Sequence, residues 1–276
     1  MRILVKHETT YRYGSPAKSA IQKLLLTPRN HCGQHLLDWR IDINRDVRLH
    51  SVEDAFGNIM HSCSVDGPID QLSTTIEGEV ETFDTAGVVR GAIERFPPAL
   101  YLRDTALTAA DEALRDFAHE TAARKGAMLD KLHALLDALY ATLVFDTDAT
   151  HSATTAIEAF ERKQGVCQDF AHIFIACARA MNIPARYVSG YFLRSDGCDD
   201  QTAGHAWAEA FVEDLGWVAF DPAHGVSPDG NYVRVAIALD YLGAAPVRGA
   251  HAGGVGEELK VQVRVSSAQS QMQSQS

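Results

Sequence analysis

The hydrophobic pattern changes period twice along the chain, and this change directs it to an α+β fold. Residues 1 to about 83 carry short β-rich runs, "ILVKHETTYRY", "HLLDWRIDI", "NIMHSCSV" and "TTIEGEVETF". Between them lie the turn signals "YGSP", "TPRN", "AFGN" and "DGP". An antiparallel sandwich or barrel of about six or seven strands is expected there. In "FPPALYL" two adjacent prolines then exclude a helix interior. From Thr108 the period becomes helical, with Thr108 as the expected N-cap and Asp111 as the acidic partner of a capping box. Leu114, Phe117 and Ala118 supply one apolar face, and Leu132, Leu135, Leu136 and Leu139 a second stripe. A shorter helix, "TTAIEAFERK", precedes a longer one that ends before Pro184.

Beyond Pro184 the β pattern returns. "ARYVSGYFL" reads as a strand, and "HAWAEAFV" with "GWVAFD" reads as a hairpin. "YVRVAIALDYL" and "LKVQVRV" follow, and "SSAQSQMQSQS" is a polar, low-complexity end that is expected to be disordered. The expected organisation is a β-rich domain over 1–90 and a core over 91–240. A β segment over 241–265 packs back on the body, and a tail covers 266–276.

Charge and cysteine usage narrow the class. The net charge of −11 is spread along the sequence without a basic run, so a nucleic-acid partner is not expected. No apolar stretch approaches the roughly 20 residues of a membrane span, and the charged start "MRILVKHETTYRYG" does not read as a signal peptide. Five cysteines, odd in number and irregularly spaced, do not form a disulfide framework. A cytoplasmic address without membrane partners is the expectation; the oligomeric state is open.

One cysteine differs from the rest. Cys177 lies within "FIACARAM" on an apolar helix face and reads as packing, whereas in "KQGVCQDF" the helical pattern begins at Cys167 itself. A helix start carries partial positive charge and free N–H groups. It favours a thiolate and also offers a donor to an oxyanion. A thiol mechanism further needs an imidazole and a group that orients it. His205 opens "HAWAEAFV" and Asp221 closes "GWVAFD". Each also has an ordinary reading, as a strand histidine and as a turn former before Pro222.

The hairpin offers a geometric criterion. Strand side chains alternate faces, so His205 and Asp221 meet only if the turn has an odd number of residues or a bulge intervenes. Pairing His205 directly with Asp221 leaves Val212, Glu213 and Asp214 as the turn, and Gly216 is a possible bulge site.

Taken together, "GVCQDFAHIFIACARAMNIPARYVSGY" and "HAWAEAFVEDLGWVAFDPAHG" resemble the core of the transglutaminase-like cysteine enzymes in their bacterial branch. The β-rich first third resembles the domain that precedes the core there, and "VRVAIALDYLGAAPVRGAHAGG" resembles its C-terminal segment. The resemblance implies a papain-like core, with helices packed on an antiparallel sheet. It assigns Cys167 as nucleophile, His205 as general base and acid, and Asp221 as the residue orienting the imidazole. The implied chemistry is acyl transfer from an amide through a thioester. Release to water makes a peptidase or amidase, which is favoured here. Release to an amine makes a transglutaminase, and a non-catalytic scaffold retaining the fold is the other alternative.

Departures from the family pattern are visible. Where "GRDY" is expected the chain reads "ALDY", with Leu239 in place of arginine, and His224 stands where asparagine is expected. His224 is read as part of the turn. No acidic loop resembles a calcium site, and no cofactor is expected. "HCGQH" gathers His31, Cys32 and His35 but lacks a metal-site pattern, so no metal site is expected. Gln168 has an open role near the substrate, Trp207 shares the face of His205 as a wall of the site, and His172 reads as structural. For the second oxyanion donor Gln164 is the first candidate and an aromatic N–H or O–H the alternative. The expected substrate is a peptide or small amide, with the N-terminal domain narrowing the cleft.

Overall fold

A computed structural model describes residues 1–123 and 126–268. Its α+β architecture is built on two antiparallel sheets. In chain order the first part comprises β1 (Arg2–Thr27), β2 (Gln34–Ile43), β3 (His50–Glu53), β4 (Ile59–Thr82) and β5 (Val88–Val89). Next come α1 (Glu112–Ala122), α2 (Met128–Thr142), β6 (Val144–Phe145), α3 (Ala156–Arg162), β7 (Gln164–Gly165) and α4 (Cys167–Ala180). The remainder is β8 (Ala185–Phe192), β9 (Asp200–Gln201), β10 (His205–Val212), β11 (Gly216–Phe220), β12 (Tyr232–Ala238), α5 (Tyr241–Ala244) and β13 (Val247–Ser267).

The first sheet has the order β2-β4-β1-β13-β9, with β3 paired to β4. Residues 1–83 contribute four of its six strands, fewer and longer than the six or seven expected of that stretch. "YGSP" and "DGP" do not turn the chain: Pro16 lies inside β1 and Pro68 inside β4. Both fall in the region where the β1–β4 register shifts, between Arg12 and Ser19. A proline there leaves no ladder N–H missing, so punctuation that reads as a turn becomes an irregularity in one long strand. β13 pairs with β1 from Ile3↔Ser267 to Leu24↔Val247, so the C-terminal strand completes the N-terminal sheet. Ser266 is buried in that strand and Ser267 ends it, which corrects the expected tail at these two positions. The rest of the expected tail, from residue 269 on, lies outside the described residues.

The second sheet, β12-β8-β10-β11-β5, carries the core helices on one face. Ala206, Ala208 and Ala210 are buried with Phe170, Ile173 and Phe174 of α4, so small strand residues let the helix lie close to the sheet. β5 pairs with β11 and so belongs to this sheet rather than to the N-terminal one. Leu132, Leu135, Leu136 and Leu139 form the buried stripe of α2.

Helix α1 starts later than expected. Asp111 is its N-cap, with its side chain accepting from the Leu114 N–H at 2.9 Å. Thr108 is buried and its hydroxyl accepts from Arg179 Nη1 at 2.6 Å, which ties it to α4 instead. No helix among the described residues is long and apolar enough to cross a membrane.

Candidate active site

Helix α4 begins at Cys167, with Val166 extended before it as N-cap. Asp169, two residues further into the first turn, accepts from the Val166 N–H at 2.9 Å and from Thr150 Oγ1 at 2.6 Å. The carboxylate is 1 % exposed, and burial raises its pKa. A Cβ on Gly165 would come within 2.6 Å of Asp169 Oδ2, so a glycine is required where the chain passes this carboxylate. This contact, rather than a left-handed turn, explains Gly165.

The β10–β11 turn is odd-membered. Val212 pairs with Gly216, leaving Glu213, Asp214 and Leu215 between them. Leu215 N–H bonds Val212 O at 3.0 Å and Gly216 has φ +86°, the combination of a type I turn followed by a left-handed glycine. The register is displaced by two residues from direct opposition of His205 and Asp221, with Ala208 facing Phe220. A displacement of two preserves the face. His205 Nε2 therefore donates to Asp221 Oδ2 at 2.6 Å.

Asp221 is the most heavily bonded group of the site. Its Oδ2 also accepts from His224 Nδ1 at 2.7 Å and from the Tyr232 hydroxyl at 2.8 Å, and Oδ1 accepts from the Ala223 N–H at 3.0 Å. Its side chain is fully buried. Burial opposes its charge, but His205 and the surrounding donors overcome this and hold the carboxyl well below its usual range. For His205 burial again works against the charged form. The charge of Asp221, then that of Cys167, and hydrogen bonds to both reverse the effect and raise the imidazole to about 10. With Nε2 committed to Asp221, Nδ1 is the ring atom left for the sulfur.

The other expected site residues divide. Gln168 lines the cleft, its amide donating to Ser152 O at 3.3 Å. Gln164 is exposed on β7 and is not among the cleft-lining residues, which corrects its place as first candidate for the second oxyanion donor. Trp207 is 1 % exposed and packs behind His205, with ring centroids 6.1 Å apart, against Tyr232 at 5.4 Å. It backs the imidazole and is not a cleft wall, because its indole fills the space on the far face of the sheet beside Val188. His224 does sit in the turn, yet it also binds Asp221 and lines the cleft. His172 is buried and accepts the Tyr241 N–H on Nε2 at 3.0 Å; burial lowers its pKa to about 4. Cys177 is buried and its thiol is pushed up to about 12, as befits a packing residue.

His31, Cys32 and His35 are not gathered as ligands. Among the described residues the one cluster with metal-like spacing is His205, Asp221 and His224, whose donor atoms lie within 4.8 Å of one another. Those atoms already satisfy one another as hydrogen-bond partners.

Cys167, His205 and His224 open on a cleft of about 570 Å³. Its walls include His7, Thr9 and Tyr11 from β1 and Leu259 and Val261 from β13, so the N-terminal sheet covers one side. These residues left no trace in the sequence pattern, because a strand facing a cleft alternates like any other. Tyr232 was equally hidden, as an ordinary aromatic in a β-rich run.

Comparison with known proteins gives two family matches along the chain. The family model of the transglutaminase-like superfamily matches residues 115–222, and that of the bacterial transglutaminase-like N-terminal region matches residues 3–81. Over these two stretches the chain is similar to the transglutaminase-like superfamily and to the N-terminal region of its bacterial members. An uncharacterized protein of Mycobacterium leprae is 28% identical over 96% of this chain and 98% of its own length. A protein-glutamine gamma-glutamyltransferase of Pseudomonas aeruginosa is 31% identical over 102 residues, which are 32% of this chain and 15% of that protein. A solved structure from Cytophaga hutchinsonii, proposed to be a cysteine protease, shares the fold with a TM-score of 0.79. It is 21% identical, with 97% of this chain and 91% of that chain covered.

Proposed function

We propose that this transglutaminase-like protein is a cysteine-dependent amide hydrolase, a peptidase or amidase working through Cys167, His205 and Asp221. The observation that carries this reading is the imidazole of His205, bonded to a buried carboxylate on one side and facing the Cys167 sulfur on the other. The Cys167 thiolate attacks the amide carbonyl, and the carbonyl pair moves onto oxygen. As the intermediate collapses, the C–N bond breaks and His205 Nδ1–H protonates the leaving nitrogen, giving a thioester and a neutral imidazole. Neutral His205 then takes a proton from water as the water attacks the thioester. The acid leaves, and the thiolate and imidazolium are restored. Asp221 holds the ring in place and stabilises its charge throughout.

The partly covered cleft supports a peptide end or small amide as substrate. The local likeness to a protein-glutamine gamma-glutamyltransferase favours a second reading, in which a primary amine takes the place of water. A cytoplasmic address is part of the proposal. It is supported by five free cysteines, of which Cys32 and Cys198 are exposed, and cell fractionation checks it.

The test is turnover of a panel of short peptides and primary amides, with and without an added alkyl amine. The expected result is hydrolysis that Cys167→Ser and His205→Ala abolish. Product carrying the amine in place of the acid supports the transferase. No turnover difference between wild type and both variants supports a scaffold and overturns the proposal.

A further inference from the structure

An acyl-transfer intermediate places negative charge on the former carbonyl oxygen, and the Cys167 backbone N–H at the helix start supplies one donor for it. A second is needed, and the side chains around the sulfur are largely committed. Gln164 faces solvent, Gln168 is bonded to Ser152 O, and His224 is bonded to Asp221. Tyr187 is not committed. It lies on β8 opposite Ala208 of β10, on the sheet face that carries α4. Its ring packs 5.1 Å from that of His172 and 6.2 Å from that of Tyr241.

The side chain is 1 % exposed, yet its hydroxyl has no hydrogen-bond partner among the described residues. It lines the same cleft as Cys167. The ring is buried, but the hydroxyl oxygen is not among the fully buried atoms that lack a partner, so the phenol O–H is free to meet a group that enters the cleft. Tyr241 and Tyr11 also line the cleft with unused hydroxyls, but both are only half-buried. Burial, and after it the charge on Cys167, hold the Tyr187 phenol neutral well above its usual range, so its hydrogen is available at any working pH.

We propose that Tyr187 is the second oxyanion donor, its O–H meeting the carbonyl oxygen of the scissile amide as that oxygen becomes an anion at Cys167. No proton is transferred. The S–C bond forms, the carbonyl pair moves onto oxygen, and the phenol O–H shortens its hydrogen bond to that oxygen. When the pair returns, the C–N bond breaks and nitrogen takes its proton from His205. Tyr187 would thus be a catalytic residue, in a role that rests on the amide chemistry proposed above.

The experiment is Tyr187→Phe, which keeps the ring against His172 and Tyr241 and removes only the hydroxyl. The fold is checked by thermal melting. The expected result is a fall in kcat of about 10²- to 10³-fold with KM little changed, as for removal of one oxyanion donor. Replacing the scissile carbonyl oxygen by sulfur, a poorer acceptor, slows the wild type, and the penalty shrinks in Tyr187→Phe. A kcat near wild type, or a loss in KM alone, overturns the role while leaving the hydrolase reading intact.

A readout that does not require turnover is binding of a peptide aldehyde. The Cys167 S–H adds across its C=O, leaving a hemithioacetal oxygen in the oxyanion position. Tyr187→Phe should weaken this binding by about tenfold, in line with one lost hydrogen bond to that oxygen. Equal affinity in wild type and variant, or no adduct at Cys167 in either, overturns the proposal.

Discussion

His205 and Asp221 share one face of the β10–β11 hairpin without being cross-strand partners. The pair Ala208↔Phe220 sets the register, so the carboxylate reaches the imidazole diagonally and still comes within 2.6 Å. The contact depends on the odd turn at Glu213–Leu215: one residue more or fewer would send the two side chains to opposite faces.

The charge on Asp221 should therefore dominate catalysis. Asp221→Asn keeps the volume but removes the charge and places an amide among donors. The expected loss is about 10³- to 10⁴-fold in kcat, by analogy with the buried triad carboxylate of serine enzymes. Steady-state kinetics on the folded variant checks it.

The pH profile follows from the same pair. His205 is raised above its ordinary 6.5 to about 10, so the imidazolium persists through neutrality and is lost only as pH rises through about 10. The alkaline limb of kcat/KM should fall in that region, and Asp221→Asn should move it toward neutrality. Titration of the His205 ring protons by NMR gives an independent reading.

His224 should matter less, but measurably. It gives Asp221 Oδ2 one of three hydrogen bonds from a ring whose side chain is 42 % exposed. His224→Ala is expected to lower kcat by about tenfold, equivalent to about 1.4 kcal/mol, with little change in melting temperature. Activity and thermal unfolding measured together separate this from general destabilisation.

Behind the site, Glu209 is fully buried between Arg186, also fully buried, and Arg234. Arg186 also binds Glu94 and lies 3.8 Å from the centroid of the Trp217 ring. Burial works against the charge of Glu209, but Arg234 and Arg186 overcome it and lower its pKa from 4.5 to about 2. Its contribution to stability is complete above about pH 4.5 and is lost as pH falls toward 2. Glu209→Ala, which strands the Arg234 guanidinium and leaves Arg186 with Glu94 alone, should cost roughly 3–5 kcal/mol in chemical denaturation.

The sequence made some of this legible and hid the rest, for physical reasons. The start of α4 at Cys167 and the buried leucine stripe of α2 follow from local period; the odd turn follows only from requiring His205 and Asp221 on one face, and it lies at Glu213–Leu215 instead of Val212–Asp214. The lengths of β1 and β4 were hidden, because Pro16 and Pro68 look like turns until pairing across the sheet absorbs them. Thr108 looked like a cap because its demand by Arg179 comes from 71 residues away. Trp207 shared the face of His205 as alternation required, but alternation cannot tell which part of that face opens on a cleft. The Asp221 partners His224 and Tyr232 and the cleft residues of β1 and β13 depend on tertiary neighbours, to which no local period points.

An activated nucleophile at Cys167 would show itself most directly in its rate of alkylation. The two exposed thiols, Cys32 and Cys198, are references within the same molecule, and the buried Cys63 and Cys177 should stay unlabelled in the folded protein. Iodoacetamide is added near neutral pH, and labelling at each cysteine is followed by peptide mass spectrometry alongside residual turnover. Cys167 should react faster than Cys32 or Cys198, and turnover should disappear in step with its modification. Labelling of Cys167 no faster than these exposed thiols, with turnover surviving its modification, would contradict its role as nucleophile.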